Sequence, residues 1–198
     1  GEGSEKALDV KDQYLNLIVN NIELKRPLKI AIDCGNGAAS IIAKQVYEGL
    51  GCEVHSLFAE VDGNFPNHHP DPSKPENLED LRKLVEEKDL EVGLAFDGDA
   101  DRLGVVSKEG TIIFPDMQMI LFSNSILKQH KEGKIVFDVK CSKLLSDAIL
   151  NEGGTPIMAK TGHSYIKKCI REENALLGGE MSGHIFFNDR WAGFDDGI

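Results

Sequence analysis

Short apolar runs alternate with amphipathic stretches along most of the chain. Runs rich in Ile, Val, Leu and Phe predict buried strands, whereas apolar residues spaced three and four apart predict helices. The strands are expected at residues 28–32, 53–58, 90–96, 103–106, 111–114, 134–139, 155–159, 175–178 and 185–187. The helices are expected at residues 9–19, 40–50, 76–88, 116–131, 142–150 and 164–173. Alternation of this kind is typical of an α/β protein with helices on both faces of a sheet.

The same order of elements occurs twice. Residues 29–33 (KIAID) have a counterpart in residues 134–138 (KIVFD), and each half ends with a loop and a returning strand. We therefore predict two similar three-layer α/β/α domains with mainly parallel mixed sheets, at residues 1–114 and 115–198, the second truncated at its C-terminus. Ligands of open α/β sheets bind beyond the carboxyl ends of the strands. The loops that follow the third strand of each half should therefore line one cleft if the domains face each other.

Composition narrows the classes of function. The chain has 198 residues and a formal net charge of −11, which argues against binding to nucleic acid. No apolar run approaches the roughly 20 residues of a membrane span, and no signal peptide opens the chain. The four cysteines form no C-x-x-C pair, so zinc and redox motifs are not expected, and reduced thiols indicate the cytoplasm. The chain starts without Met, and residues 193–198 resemble the entry to a helix, so we expect a piece of a longer protein.

The strongest chemical signal is an acidic loop between two predicted strands. Asp97, Asp99 and Asp101 alternate with small residues, and Arg102 follows directly. Two like charges about 4 Å apart repel by roughly 4 kcal/mol at an effective dielectric constant near 20. Three carboxylates in one turn therefore favour a cation, and hard oxygen ligands without His or Cys nearby suit Mg²⁺. Arg102 would then bind a phosphate that the metal also contacts.

This loop has three competing interpretations. An EF-hand starting at Asp97 would need Gly and Glu where Arg102 and Lys108 stand, so that interpretation fails. An acidic surface turn without a ligand remains open. So does a phosphatase-type loop, in which the first Asp of a D-x-D that follows an apolar strand is a nucleophile.

A second loop, residues 178–184, follows the last buried strand of the second half. Glu180 offers acceptor oxygens and Ser182 offers a hydroxyl, which together suit adjacent hydroxyls of a sugar. A glycine-rich turn with a merely solvated Glu is the competing interpretation.

Basic and titratable groups lie near the same predicted sheet edge. Lys140 and Lys160 each follow a strand of the second half, where free amide groups before a helix attract anions. His163 and His184 could transfer protons near neutral pH, although a single histidine is more often structural. His68 has no partner at metal-ligand spacing and is assigned to the loop at residues 62–75.

Taken together, these stretches resemble the α-D-phosphohexomutase family, in its phosphomannomutase/phosphoglucomutase branch. The resemblance covers nearly the whole chain: residues 97–102 resemble the metal loop, residues 180–184 the sugar-binding loop, and residues 160–164 and 62–72 two further signatures. The Met at position 181 resembles the residue that the glucose/mannose branch of the family has there. Ala100 departs from a common Gly but leaves the three carboxylates intact.

The resemblance implies reversible phosphoryl transfer between the 1- and 6-positions of a hexose, through a phosphoserine and a hexose 1,6-bisphosphate. It also implies four domains, of which this chain resembles the second and most of the third. The first and fourth domains, with the nucleophilic serine and the main phosphate clamp, would lie outside the chain, and the chain alone would be inactive. The implied roles are Mg²⁺ binding by Asp97, Asp99 and Asp101, phosphoryl stabilisation by Arg102, substrate binding by Lys140, His163, Glu180 and Ser182, and proton transfer by His184.

Two alternative functions stand beside this one. A haloacid-dehalogenase-like phosphatase or mutase would use Asp97 as nucleophile and Asp99 as acid/base. It would expect Thr or Val in place of Asp101, and its motif near the start of the domain. A non-catalytic sugar-phosphate-binding module would bind its ligand without turnover. The preference between glucose and mannose does not follow from the sequence.

Overall fold

The computed structural model describes residues 3–198, in which nine strands form two sheets. Gly1 and Glu2, which belong to the predicted first domain, lie outside the described residues. The strands are β1 Lys29–Asp33, β2 Glu53–Leu57, β3 Val92–Phe96, β4 Leu103–Ser107, β5 Ile112–Ile113, β6 Lys134–Asp138, β7 Thr155–Ala159, β8 Leu177–Gly179 and β9 Ile185–Phe187. The helices are α1 Lys11–Asn21, α2 Ala43–Gly49, α3 Glu79–Glu87, α4 Pro115–Gln129, α5 Lys143–Asn151 and α6 His163–Glu173. Among these helices, none is both long and apolar enough to cross a membrane.

Two of the predicted helices are shorter than expected. The stretch at residues 40–50 begins with the 3₁₀ helix Ala38–Ile41, and α2 follows only after Ile42, whose φ of −145° interrupts the helix. The stretch at residues 76–88 likewise begins with the 3₁₀ helix Pro75–Leu78 before α3. Hydrophobic spacing does not distinguish a tight 3₁₀ turn from the α-helix that continues it.

The two sheets share one topology. Their strand orders are β2-β1-β3-β4-β5 and β7-β6-β8-β9, so the first strand of each half lies between the second and the third. β1 pairs parallel with β2 and β3, as β6 does with β7 and β8. The returning strands β4 and β9 pair antiparallel with β3 and β8. Both sheets are therefore mixed, and the internal repeat predicted from the sequence is confirmed.

Each sheet lies between two layers of helices because alternate residues of its strands face opposite sides. In β1, Ile30 and Ile32 pack in a cluster with Ala43 of α2, whereas Ala31 packs with Leu81 of α3. The three-layer arrangement that the sequence predicts is thus present in the first sheet.

The second sheet repeats this alternation. Ile135 and Phe137 of β6 pack with Leu145 of α5, and Val136 packs with Ile166 of α6. The helices α3 and α6 therefore occupy equivalent layers.

Equivalent glycines allow these two helices to approach their sheets. A Cβ added at Gly93 of β3 would lie 2.9 Å from Leu81 and Val85 of α3. A Cβ added at Gly178 of β8 would lie 2.5 Å from Ile170 of α6. Such distances require the helix or its side chains to move.

The last residues of the chain form no helix and extend back to the first sheet. The hydroxyl of Tyr14 donates to Asp196 Oδ1 over 2.9 Å, and the N–H of Gly197 donates to the carbonyl of Ala100 over 2.9 Å. The segment at residues 193–198 therefore connects the second half of the chain to α1 and to the acidic loop.

We expect Gly178→Ala to lower the free energy of unfolding by about 1–3 kcal/mol, because the added methyl group overpacks the contact with α6. Gly63→Ala is the control, since a Cβ at Gly63 meets no atom within 4 Å. That control should stay within about 0.5 kcal/mol of the parent. Urea denaturation followed by circular dichroism measures both values, and equal stability of the two variants would contradict the packing argument.

Candidate functional site

The loops that follow β3 and β8 lie against each other. Arg102 and His184 form an isolated antiparallel bridge, and the N–H of Leu103 donates to the carbonyl of Gly183 over 3.2 Å. Gly183 has a φ of +105°, and a Cβ there would lie 3.2 Å from the Leu103 carbonyl, so this close approach requires glycine. His184 Nε2 also lies 3.2 Å from Asp101 Oδ1. The loops that follow the third strand of each half are thus in direct contact with each other.

Asp97 stabilises the acidic loop by accepting hydrogen bonds from other residues of the same loop. Asp97 is 2% exposed, and its Oδ1 accepts hydrogen bonds from the backbone N–H groups of Asp101 and Arg102, each over 3.0 Å. Its Oδ2 accepts from Arg102 Nε over 2.6 Å. Asp99 is exposed and Asp101 is half-buried. The three carboxylates therefore lie in different environments, although they alternate in sequence.

Arg102 lies between two carboxylates. Besides the bond to Asp97, its Nη1 lies 3.1 Å from Asp71 Oδ1, a residue of the loop between β2 and α3. Burial lowers the pKa of Arg102, but the hydrogen bond and charge of Asp97, with Asp71, raise it above its ordinary value. Arg102 therefore offsets part of the charge of the acidic loop, for which the sequence predicts a metal. Asp71 was not predicted as a site residue.

The acidic trio fits a hard divalent cation. Asp97, Asp99 and Asp101 each offer a carboxylate oxygen, and these atoms lie within 4.8 Å of one another. Burial raises the pKa of Asp101, and the charges of Asp97, Asp99 and Asp195 raise it further, against the opposing effect of His184. Excess negative charge therefore remains at this point after Arg102 is counted. A cation with oxygen preference would relieve it.

Ala100 takes up a backbone conformation that glycine adopts more readily. Its φ is +65°, in the left-handed region, where a side chain costs about 1–2 kcal/mol. The departure noted from the sequence is therefore tolerated by the fold with a small conformational strain.

Glu180 and Ser182, the two polar residues of the second loop, differ in how many of their oxygens are free to bind a ligand. Glu180 is 2% exposed, and its Oε1 accepts a hydrogen bond from the N–H of Gly162 over 2.6 Å, before α6. Its Oε2 lies 3.6 Å from His184 Nδ1. Ser182 Oγ lies within hydrogen-bond distance of the same nitrogen, at 2.9 Å. Glu180 thus has one oxygen committed to the loop structure, and the other faces the site.

Two histidines stack at the junction. The rings of His163 and His184 lie 5.8 Å apart with an interplanar angle of 18°, and Phe186 continues the stack behind His184. The side chain of His163 is 54% exposed, whereas that of His184 is 16% exposed. His163 is therefore the more accessible of the two.

Lys140 is exposed and lies just after β6, at the same end of the sheet. Within residues 3–198, Lys140 forms no ion pair with a carboxylate. Lys160 is also exposed, and its Nζ lies 4.9 Å from the centre of the Tyr165 ring.

His68 has a partner that sequence spacing did not reveal. Its Nε2 lies 3.0 Å from Oδ2 of Asp33, which is 1% exposed at the end of β1. Asp138, at the equivalent end of β6, is also buried, and its Oδ2 accepts from the Thr161 hydroxyl over 3.0 Å. The signal that could have identified both acids is a charged residue at the end of an otherwise apolar strand.

Comparison with protein families identifies both halves of the chain. Residues 12–110 match the family described as "Phosphoglucomutase/phosphomannomutase, alpha/beta/alpha domain II". Residues 114–198 match "Phosphoglucomutase/phosphomannomutase, alpha/beta/alpha domain III".

Curated relatives align with the whole chain. A phosphoglucomutase of Neisseria gonorrhoeae is 55% identical over 197 residues, and a phosphomannomutase/phosphoglucomutase of Pseudomonas aeruginosa is 53% identical over 198 residues. The alignments cover 100% of this chain but only 43% of each relative.

Solved structures share the fold. A phosphoglucomutase/phosphomannomutase family protein of Burkholderia thailandensis has a TM-score of 0.97 and 53% identity, and the match covers 100% of this chain and 43% of that one. A protein described as a phosphomannomutase from Thermus thermophilus, 23% identical, has a TM-score of 0.83 over 98% of this chain and 46% of that one. The second match supports the fold alone.

The ion pair between His68 and Asp33 predicts a pH-dependent stability. The hydrogen bond to Asp33 raises the pKa of His68 against the opposing effect of burial, and the backbone of His69 adds to the rise. Stability from this pair is therefore fully present below the unfolded pKa of about 6.5 and is lost as the pH rises through the folded pKa. We expect His68→Gln to lower the free energy of unfolding by about 1–3 kcal/mol at pH 5.5, and by less at pH 9.

Urea denaturation at the two pH values measures the effect, and Asp33→Asn supplies the control background. In that background the rise in the pKa of His68 that Asp33 causes is lost, so the effect of His68→Gln should depend on pH much less than in the parent. The same pH dependence with and without Asp33 would contradict the assignment.

Proposed function

This chain belongs to the phosphoglucomutase/phosphomannomutase family, and we propose that it forms part of an enzyme that transfers a phosphoryl group between the 1- and 6-positions of a hexose. The chain spans 43% of the length of the relatives that it matches, so the enzyme is the longer protein. The observation that carries the proposal is the junction of the acidic loop with the loop containing Glu180 and Ser182. It combines a cation site with polar groups suited to a sugar.

In this proposal, Asp97, Asp99 and Asp101 hold Mg²⁺, whose positive charge offsets the charge of the transferring phosphoryl group. Arg102 holds Asp97 in place through its Nε and adds a second positive charge at the same point. Phosphoryl transfer is promoted chiefly by positioning and electrostatic stabilisation, so a fixed loop serves this chemistry. The phosphorylated serine and the fourth-domain phosphate clamp are proposed to lie outside this chain.

The second loop and α6 bind and orient the sugar. Ser182 Oγ and Glu180 Oε2 lie beside His184 and offer hydrogen bonds to sugar hydroxyls. His184 exchanges a proton with the reacting hydroxyl, and the more exposed His163 contacts the substrate. Lys140, exposed at the end of β6, contributes positive charge for the phosphate of the substrate. A hexose 1,6-bisphosphate would be the intermediate that reorients between the two transfers.

The haloacid-dehalogenase-like alternative is not favoured. Its nucleophile would be Asp97, but that carboxylate is 2% exposed and both of its oxygens accept hydrogen bonds. These hydrogen bonds, and above all the ion pair with Arg102, lower the nucleophilicity of the Asp97 carboxylate. The relatives with 53–55% identity are also named as mutases of the other family.

In the full-length protein, we expect Asp101→Asn to lower kcat/KM for glucose 1-phosphate by at least about a hundredfold, because it removes a metal ligand. The assay contains Mg²⁺ and glucose 1,6-bisphosphate and follows the formation of glucose 6-phosphate. Asp89→Asn is the control, because Asp89 is an exposed acid whose partner is Lys108, away from the site. Chelation of Mg²⁺ should abolish turnover of the parent protein. Unchanged turnover in Asp101→Asn or after chelation would contradict the proposed mechanism.

The chain of 198 residues should show no mutase turnover by itself, because the proposed phosphoserine lies outside it. Addition of glucose 1-phosphate to the isolated chain and to the full-length protein tests this in parallel. Turnover by the isolated chain would refute the division of roles. Binding without turnover by the full-length protein would favour a non-catalytic sugar-phosphate-binding module.

A further inference from the structure

Asp195 lies in the final segment of the chain and was not predicted to belong to the site. Its side chain is 9% exposed, and its Oδ1 accepts a hydrogen bond from Lys167 Nζ of α6 over 2.9 Å. Its Oδ2 is buried and accepts no hydrogen bond within residues 3–198. One half of the carboxylate is therefore held firmly, while the other half lacks a donor.

The unpaired oxygen faces the two stacked histidines. Asp195 Oδ2 lies 3.8 Å from His184 Nε2 and 4.0 Å from His163 Nδ1, beyond the length of a hydrogen bond. The same nitrogen of His184 lies 3.2 Å from Asp101. Asp195 Oδ2 therefore borders the site where the acidic loop and the sugar-binding loop meet.

A buried polar atom without a partner is destabilising, more so when it is charged. The carboxylate of Asp195 is prevented from turning away by Lys167, whose Nζ also lies 5.8 Å from the centre of the Phe186 ring. Oδ2 of Asp195 is thus a hydrogen-bond acceptor that is held in a fixed position and has no donor. A fully ionised phosphate cannot supply that donor, because it carries no proton and is repelled by the carboxylate. A neutral hydroxyl can.

We propose that Asp195 Oδ2 accepts a hydrogen bond from a ring hydroxyl of the hexose, which makes Asp195 a further substrate-binding residue. This inference rests on the proposed mutase function and specifies the sugar contact within it. The negative charge of Asp195 also disfavours a phosphate at this point. The residue therefore selects poses in which a hydroxyl of the sugar, and not its phosphate, lies beside Asp195 at the edge of the histidine pair.

The test is a double-mutant cycle between the protein and the substrate, in the full-length protein. Asp195→Asn keeps the shape of the side chain and an oxygen for Lys167, but it replaces the free acceptor by an amide donor. We expect kcat/KM for glucose 1-phosphate to fall by about 10- to 100-fold. With the deoxy analogue that lacks the partner hydroxyl (2-, 3- or 4-deoxy), the same substitution should change kcat/KM by less than about threefold.

Asp189→Asn is the matched control. The side chain of Asp189 is also buried, at 6% exposure, and one of its oxygens also has no hydrogen bond within the described residues, but its ion pair is with the neighbouring Arg190. This variant should lose no coupling to any hydroxyl. A similar loss of kcat/KM with every analogue, accompanied by a lower Tm, would make Asp195 purely structural and overturn the inference.

Two further outcomes are decisive. Binding of Zn²⁺ or Mn²⁺ that Asp195→Asn abolishes and Asp99→Asn retains would make Asp195 a metal ligand with Asp101 and His184, and would overturn the sugar contact. If the parent full-length protein shows no mutase turnover, the proposed function itself fails. Turnover by the parent with equal losses across all analogues overturns only the role of Asp195.

Discussion

Burial of carboxylates at the carboxyl ends of the central strands is the constraint on which the site depends. Asp33, Asp97 and Asp138 are each at most 2% exposed. A buried carboxylate that lacks donors is destabilised by several kcal/mol, so each must take hydrogen bonds from nearby loops. Asp33 forms a hydrogen bond with His68 of a distant loop. Asp97 accepts hydrogen bonds from the side chain of Arg102 and from the backbone of its own turn. The loops are consequently held in defined positions beyond the strands, where ligands of such sheets bind.

These fixed loops also determine how the two halves of the chain meet. Arg102 closes its own loop by pairing with Asp97, and its backbone bridges to His184 of the second half. The final segment adds a second connection, because Gly197 donates to the carbonyl of Ala100. A site assembled from two sheets works only if their strand ends keep a constant separation. Both connections act on the acidic loop itself, so they fix the separation of the strand ends at the proposed cation site.

The sequence predicts local features well and long-range pairs poorly. The apolar runs, the internal repeat and the three alternating aspartates are all visible along the chain, and the similarity of the two sheets followed from the repeat. The partners of Asp33 and Arg102 were missed, since His68 and Asp71 are 35 and 31 residues away and belong to an irregular loop without periodicity. Asp195 was missed for a related reason. Its segment resembled a helix entry, and only the packing of the terminal residues against the first half brings its carboxylate to the histidines.

The three aspartates of the acidic loop do not contribute equally to its electrostatics. Along the sequence they form one charge cluster that favours a divalent ion, but in the structure Arg102 already pairs with Asp97. The charge that remains lies on exposed Asp99 and on Asp101, whose pKa burial and neighbouring carboxylates raise. A cation arriving here meets oxygens that hydrogen bonds have already oriented on one side of the loop. In the proposed mechanism, less of the binding energy of the cation would therefore be used in ordering the protein, and more would be left to hold a phosphoryl group.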